Sequence, residues 1–198
     1  MINFPLRLSA FSNQVLAWLE GVGINWKISF LVVMGLWVVH FVNFCFSYRL
    51  NRWGIVPRTA RGLIGILLAP FLHADSGHLF FNSIPLFVLL SVLFVHGWYY
   101  VLLVTWYLML IGGGLLWVIG KRGVHIGASG LIMGYIGYML ANAYFRPSTS
   151  NVLAASIVLL YFGSSLLSVL PWSNKRVSWQ GHLTGLLSGV ILVILGRL

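Results

Sequence analysis

Acidic side chains are nearly absent. Glu20 and Asp75 are the only carboxylate side chains among 198 residues. That scarcity removes whole classes of chemistry. A paired-aspartate protease working inside a membrane needs two acids within apolar segments, and neither residue falls in one by the spans read below. Proton transport through buried acids is disfavoured for the same reason. No His-Glu-x-x-His zinc motif occurs, and no Gly-rich loop ends in Lys-Ser/Thr for phosphate. Charge of either sign is scarce, at 7% of residues, where a soluble domain carries roughly a quarter. The chain is 60% hydrophobic with mean hydropathy +0.95. Too little polar surface remains to dissolve that much apolar area, so the sequence reads as an integral membrane protein. There is one cysteine, Cys45, within an apolar run. It excludes an intramolecular disulfide and a thiolate metal site, and it reads as a buried, inert thiol. No metal and no cofactor are expected.

The charge that is present is positive: twelve Lys and Arg give a net +10. In a soluble protein this would point to nucleic acid. Here the basic residues stand singly or in pairs between apolar runs, as membrane-flanking loops require. They form no stripe, so nucleic-acid binding is not expected.

Residues 1–26 read as an N-terminal amphipathic segment at the membrane interface. Leu8, Phe11, Val15, Trp18 and Leu19 recur at roughly helical spacing, with Trp18 and Trp26 as anchors. The N-terminus lacks the pattern of a signal peptide, since no small-residue cleavage site follows an apolar core. Residues 27–198 hold six apolar runs, at about 28–48, 78–95, 99–119, 128–145, 152–170 and 181–197. Residues 49–77 differ: they hold Arg49, Arg52, Arg58, Arg61, two prolines and a short apolar stretch from Gly62 to Leu72. That stretch is too short to cross and suits a re-entrant or interfacial element. Asp75-Ser76-Gly77 has the form of a helix start. The expected fold is all-α, a polytopic six-transmembrane-helix bundle with a membrane-embedded first loop.

Six histidines are the remaining ionisable candidates. His96 sits at a span end, and His40 is alone in the first span and suits packing. His125 precedes the Gly-Ala-Ser-Gly run; it either orients that loop or is solvated. His73 lies in the first loop. His78 and His182 each open a span, where a side chain can meet both water and the bilayer interior.

Three patterns carry chemistry. Gly127-Ala128-Ser129-Gly130 opens the fourth span, placing a hydroxyl among small residues at the positive end of a helix dipole, where an oxyanion is favoured. The bland reading is helix packing through small residues. His182 opens the sixth span, followed by Gly185 and Gly189, which share one broad face. Gly130, Gly134 and Gly137 give the fourth span a matching face, so close packing would bring His182 toward Ser129. His78 and Asn82 are four residues apart on one helix face and could donate into an oxyanion hole, or satisfy neighbouring helices.

Together these patterns resemble the rhomboid family of intramembrane serine proteases, over about residues 28–197. The signatures are His78-x-x-x-Asn82, Gly127-x-Ser129-Gly130 and His182-x-x-Gly185-x-x-x-Gly189, in the family's order and on matching spans. The resemblance implies a dyad of Ser129 as nucleophile and His182 as base, with no acid. It implies an oxyanion hole from His78, Asn82 and the backbone amide of Ser129, and helix packing through Gly130, Gly134, Gly185 and Gly189. It further implies transmembrane protein substrates, the lipid bilayer as partner, and a bacterial plasma membrane as location. Two departures mark the chain as atypical. The first loop has Arg52-Trp53 where many relatives carry Trp-Arg, and Met133 stands where many carry a tyrosine that stacks on the histidine. The alternative reading is a catalytically silent rhomboid-like protein that binds transmembrane segments, although such proteins typically lack the serine or the histidine.

Orientation has two competing indications. Loops on the dyad side carry Arg49, Arg52, Arg58, Arg61, Lys121, Arg122, Lys175 and Arg176. The other side carries Arg7, Lys27, Arg146 and Arg197. The positive-inside rule turns the dyad toward the cytoplasm; the family topology turns it outward.

Overall fold

The computed structural model describes residues 4–171 and 178–196. Lys175, Arg176 and Arg197 lie outside the described residues. Among the described residues seven α-helices make up the bundle: α1 (Phe4–Cys45), α2 (Ala60–Leu68), α3 (Ser76–Leu93), α4 (Trp98–Ile119), α5 (Ser129–Phe145), α6 (Thr149–Phe162) and α7 (Trp179–Leu195). A 3-10 segment, Gly163–Val169, continues α6. Among the described residues the only strand-like pairing is one bridge, Ile55 with His125.

The six apolar runs correspond to α1 and α3 to α7, and the expected helix start at Asp75 holds. The Asp75 carboxylate accepts from the His78 amide at 2.8 Å, capping α3. α1 runs unbroken through residues 26–27, so the boundary drawn there from the sequence coincides with no break in the backbone. Its buried stripe is Ser29, Val33, Leu36, His40 and Asn43, at alternating spacings of four and three. That stripe packs against α3, with Trp37 Nε1 donating to Ser83 Oγ at 3.1 Å. Two expectations for α1 need correction. Glu20 lies on this apolar helix, where it is exposed, and Cys45 is exposed rather than buried. Both point off the stripe that faces α3.

Helix α5 forms the centre. Every residue from Ile132 to Met139 is buried, which requires partners all round, and α3, α4, α6 and α7 supply them. Four helical stretches, Ser9–Cys45, Ser76–His96, Trp98–Ile119 and Thr149–Val169, are long and apolar enough to cross a membrane. α5 and α7 have 17 residues each, hence about 25 Å of helix at 1.5 Å per residue, against about 30 Å of hydrocarbon.

The first loop is folded, not slack. A 3-10 turn, Arg49–Trp53, leads to α2, which packs on α4. Thr59 caps α2, accepting from Gly62 N at 3.1 Å, and its carbonyl accepts from Trp117 Nε1 at 2.9 Å. Arg58 Nη1 donates to the Val118 carbonyl at 2.7 Å, near the C-terminus of α4, where a cation is favoured. Asn43 Nδ2 donates to Asn51 Oδ1 at 2.8 Å, and Asn51 Nδ2 reaches the His73 carbonyl at 3.3 Å. A polar chain thus ties α1, the loop and the start of α3 together. The apolar stretch expected at 62–72 is α2 and the 3-10 turn after it.

Candidate active site

Helices α5 and α7 meet backbone to backbone. A Cβ built on Gly185 would lie 2.0 Å from the Gly130 carbonyl oxygen, and one on Gly189 would lie 2.2 Å from that of Gly134. One on Gly137 would lie 2.2 Å from the Leu186 carbonyl oxygen. No side chain fits in those gaps, so glycine is a geometric requirement of the approach. From Gly130–Gly185 to Gly134–Gly189 the contacts advance in the same direction on both helices, so the two run parallel and begin at the same end. Ser129 is the first residue of α5, and His182 lies in the first turn of α7. The sequence-derived glycine faces therefore do meet, and they bring the starts of the two helices together. His182 is buried and Ser129 half-buried.

The approach to Ser129 is held from several sides. Ile55 and His125 exchange backbone hydrogen bonds at 2.9 and 2.8 Å, fixing the strand before the serine to the first loop. Gly127 N donates to the Ala69 carbonyl at 2.9 Å. The imidazole of His125 adds a clamp to α7. Its Nε2 lies 2.9 Å from the Lys121 carbonyl, which only accepts, so Nε2 carries the proton. Nδ1 then accepts from Ser178 Oγ at 2.9 Å, and Ser178 Oγ accepts from Gly181 N to cap α7. His125 thus links the serine loop to the helix that carries His182, which selects the orienting role between its two sequence readings.

His78 and Asn82 converge on the same loop. A Cβ on Gly127 would lie 2.6 Å from His78 Cε1 and 3.6 Å from Asn82 Nδ2. Gly127 also has φ +111°, so it is glycine for backbone and space alike. Among the described residues Asn82 Nδ2 is buried without a hydrogen-bond partner, an open donor facing Gly127, two residues before Ser129. An unpaired buried amide donor is costly unless an acceptor arrives. A cavity of about 70 Å³ opens beside Ser129, lined among others by Gly127, Gly130, Met109, Thr184 and Gly185.

Three side chains at the site had no sequence signal pointing to these contacts. His73 is fully buried, and its Nε2 accepts from Ala128 N at 3.4 Å across the serine loop. Its ring meets His78 edge-on at 5.1 Å. Burial, then the neighbouring His78 and His40, lowers the His73 pKa to about 4, so the ring is neutral. Ser178 is the cap just described. Ser168, in the 3-10 segment after α6, lies 2.6 Å from His182 Nδ1 through its Oγ. A serine 14 residues from a histidine leaves no periodic trace; only the fold brings them together.

The remaining candidates have structural places. His40 Nε2 pairs with Ser76 Oγ at 3.1 Å and its ring packs on Trp37 and Tyr48, a packing role as expected. His96 is exposed beside Tyr100. Met133 is buried, and among the described residues no aromatic ring stacks on His182. Tyr135 and Tyr138 face α4 instead, bonded to Thr105 and Tyr100. Arg52 lies over the Trp53 ring at 5.6 Å. Among the described residues no group of His, Cys, Asp and Glu is arranged to hold a metal.

Known proteins resemble this chain along the same stretch. A family model described as the Rhomboid domain matches residues 60–197. Uncharacterised proteins of Mycobacterium bovis and Mycobacterium tuberculosis are 35% identical over 168 residues, covering 81% of this chain and 70% of each relative. An uncharacterised protein of Mycobacterium leprae is 34% identical over 193 residues, covering 93% of this chain and 74% of that protein. The family match runs from α2 through the two glycine-packed helices that begin at Ser129 and beside His182, and on these grounds the chain belongs to the rhomboid family.

Proposed function

We propose that this integral membrane protein is a serine endopeptidase that cleaves transmembrane or juxtamembrane segments of other membrane proteins. The observation that carries the reading is the contact of Gly130 with Gly185, which leaves Ser129 and His182 at the common end of two parallel helices. Ser129 Oγ attacks the scissile carbonyl while His182 takes its proton; His182 then protonates the leaving amine, and water resolves the acyl-enzyme. Asn82 Nδ2, His78 and the amide of Ser129 receive the oxyanion. The open Asn82 donor supports this role, because the developing charge supplies the acceptor it lacks.

The short helices support the membrane setting. A helix of about 25 Å cannot fill the bilayer, so the ends carrying Ser129 and His182 sit below the surface, where water enters and lipid-embedded substrates arrive. A substrate helix must unwind locally there to expose a carbonyl. The test uses purified protein in detergent with a fluorophosphonate probe and a labelled transmembrane peptide. Wild type labels and cleaves, and Ser129→Ala does neither. Equal and absent labelling in both proteins, with the peptide intact across a panel of substrates, would leave the silent, segment-binding reading in place instead.

A further inference from the structure

A serine–histidine dyad without an acid leaves one question open: what fixes the tautomer of the base. Only a neutral imidazole protonated on one nitrogen can accept from serine through the other. In serine proteases of the triad type a carboxylate does this work from the far side of the ring. Here the chain has two carboxylates in all, and one of them, Asp75, is exposed and engaged in capping α3.

We infer that Ser168 is the positioning residue that sets the tautomer of His182. Donor assignment carries the inference. Ser168 Oγ donates to the Ser165 carbonyl at 2.5 Å, and a carbonyl oxygen has no proton to give. The single hydroxyl proton of Ser168 is therefore committed to Ser165. The contact of 2.6 Å between Ser168 Oγ and His182 Nδ1 must then be Nδ1–H donating to oxygen. Nδ1 carries the ring proton, and Nε2 is left with a free lone pair as the base. The 3-10 segment Gly163–Val169 explains the first bond, since its tight winding turns the side chain of Ser168 back onto the carbonyl three residues earlier.

The chain Ser165 carbonyl, Ser168 hydroxyl, His182 imidazole, with Ser129 as the group that Nε2 would serve, is an uncharged counterpart of the carboxylate-headed triad. It also addresses the replacement of the stacking tyrosine by Met133: the ring is held through Nδ1 rather than through its face. When Nε2 takes the proton of Ser129, the imidazolium keeps its Nδ1 bond to the same oxygen. Ser168 does not touch substrate.

The inference rests on the protease reading for its consequence but not for its measurement. Protein carrying 15N-histidine in detergent micelles reports which ring nitrogen is protonated, with His182→Asn assigning the signal. Wild type is expected to show Nδ1 protonated and Nε2 bare. Ser168→Ala is expected to mix the tautomers and to lower kcat by about ten- to hundredfold with KM little changed, less than the ~10⁴-fold cost of losing a tautomer-fixing carboxylate. Ser168→Thr is expected to restore both. Nε2 protonated in wild type overturns the inference, as does a Ser168→Ala variant that keeps both the tautomer and kcat. If the alanine variant does not fold, the wild-type tautomer decides. A wild type with the expected tautomer that never reacts with fluorophosphonate removes the protease reading while the assignment of Ser168 stands.

Discussion

His73 shows what single residues do in this protein without announcing it in the sequence. It lies in the first loop between Leu72 and Ala74, and nothing in its spacing distinguishes it from a solvated histidine. The fold buries it completely and sets its Nε2 against the amide of Ala128, next to Ser129. His78 and Asn82 were legible, because a spacing of four on a helix is a statement about shared direction. His73 and Ser168 were not, because their partners lie 55 and 14 residues away and are met only through tertiary packing. The buried state of His73 has a consequence for pH. Its folded pKa is about 4, below the usual 6.5. Between those values the unfolded chain binds a proton that the native chain excludes, so stability is fully present above pH 6.5 and lost as pH falls toward 4. The size is up to about 3 kcal/mol for this one group. His73→Gln retains an acceptor without titrating. Thermal unfolding in detergent between pH 7 and 4 should therefore show wild type losing more stability than the variant, with the two curves parallel above pH 7. Parallel curves throughout would show that His73 is not buried neutral.

At the scale of elements, the glycines are the clearest case of sequence foretelling structure. Gly130, Gly134, Gly185 and Gly189 lie at spacings of four on two apolar segments, and that pattern already marked faces fit for close approach. The structure adds that at Gly185 and Gly189 the approach is too tight for a methyl group. What the pattern could not supply was direction or register. Those follow from which glycine meets which carbonyl, and they decide whether Ser129 and His182 share an end. The first loop was legible only by length: too short an apolar run to cross, hence something else. Gly62 and Gly65 let α2 close on the backbone of residues 54–56, and its packing on α4 uses Gly113 against Ile66 and the Trp117 bond to Thr59, partners far apart in sequence. Gly185→Ala would place its Cβ 2.0 Å from the Gly130 oxygen, so the helices must separate. The expected result is a destabilisation of about 1–3 kcal/mol, seen as a lower Tm, and loss of fluorophosphonate labelling as His182 withdraws from Ser129. Gly114→Ala is the control, since nothing lies within 4 Å of a Cβ there. It should keep labelling and match or exceed wild-type stability, because alanine favours helix. Equal labelling by Gly185→Ala and wild type would show that the tight contact does not position the dyad.

For the whole molecule the open issue is which way the bundle faces. Basic residues outnumber one another eight to four in favour of the dyad side when every loop is counted. The structure changes how that count is weighed. Four of the eight, Arg49, Arg52, Arg58 and Arg61, belong to a folded loop packed against the bundle rather than to a free connection. Arg58 is bonded to the end of α4 and Arg52 lies over Trp53. The positive-inside rule reads short loops that must stay behind during insertion; an element that docks on its own helices is a weaker reporter. Setting that loop aside leaves Lys121, Arg122, Lys175 and Arg176 against Arg7, Lys27, Arg146 and Arg197, four on each side. Arg146 is further held at the end of α7, bonded to the Val193 and Gly196 carbonyls, so it too serves the fold. With the charge bias reduced to near balance, we propose the orientation the family topology implies, with Ser129 and His182 facing away from the cytoplasm and the C-terminus inside. A fluorescent protein fused after Leu198 should then fluoresce and a phosphatase fused there should stay inactive. Neutralising Arg49 and Arg61 together should leave both results unchanged, since these arginines do not set orientation. An active phosphatase at the C-terminus would reverse the assignment and make the first-loop arginines the topogenic signal after all.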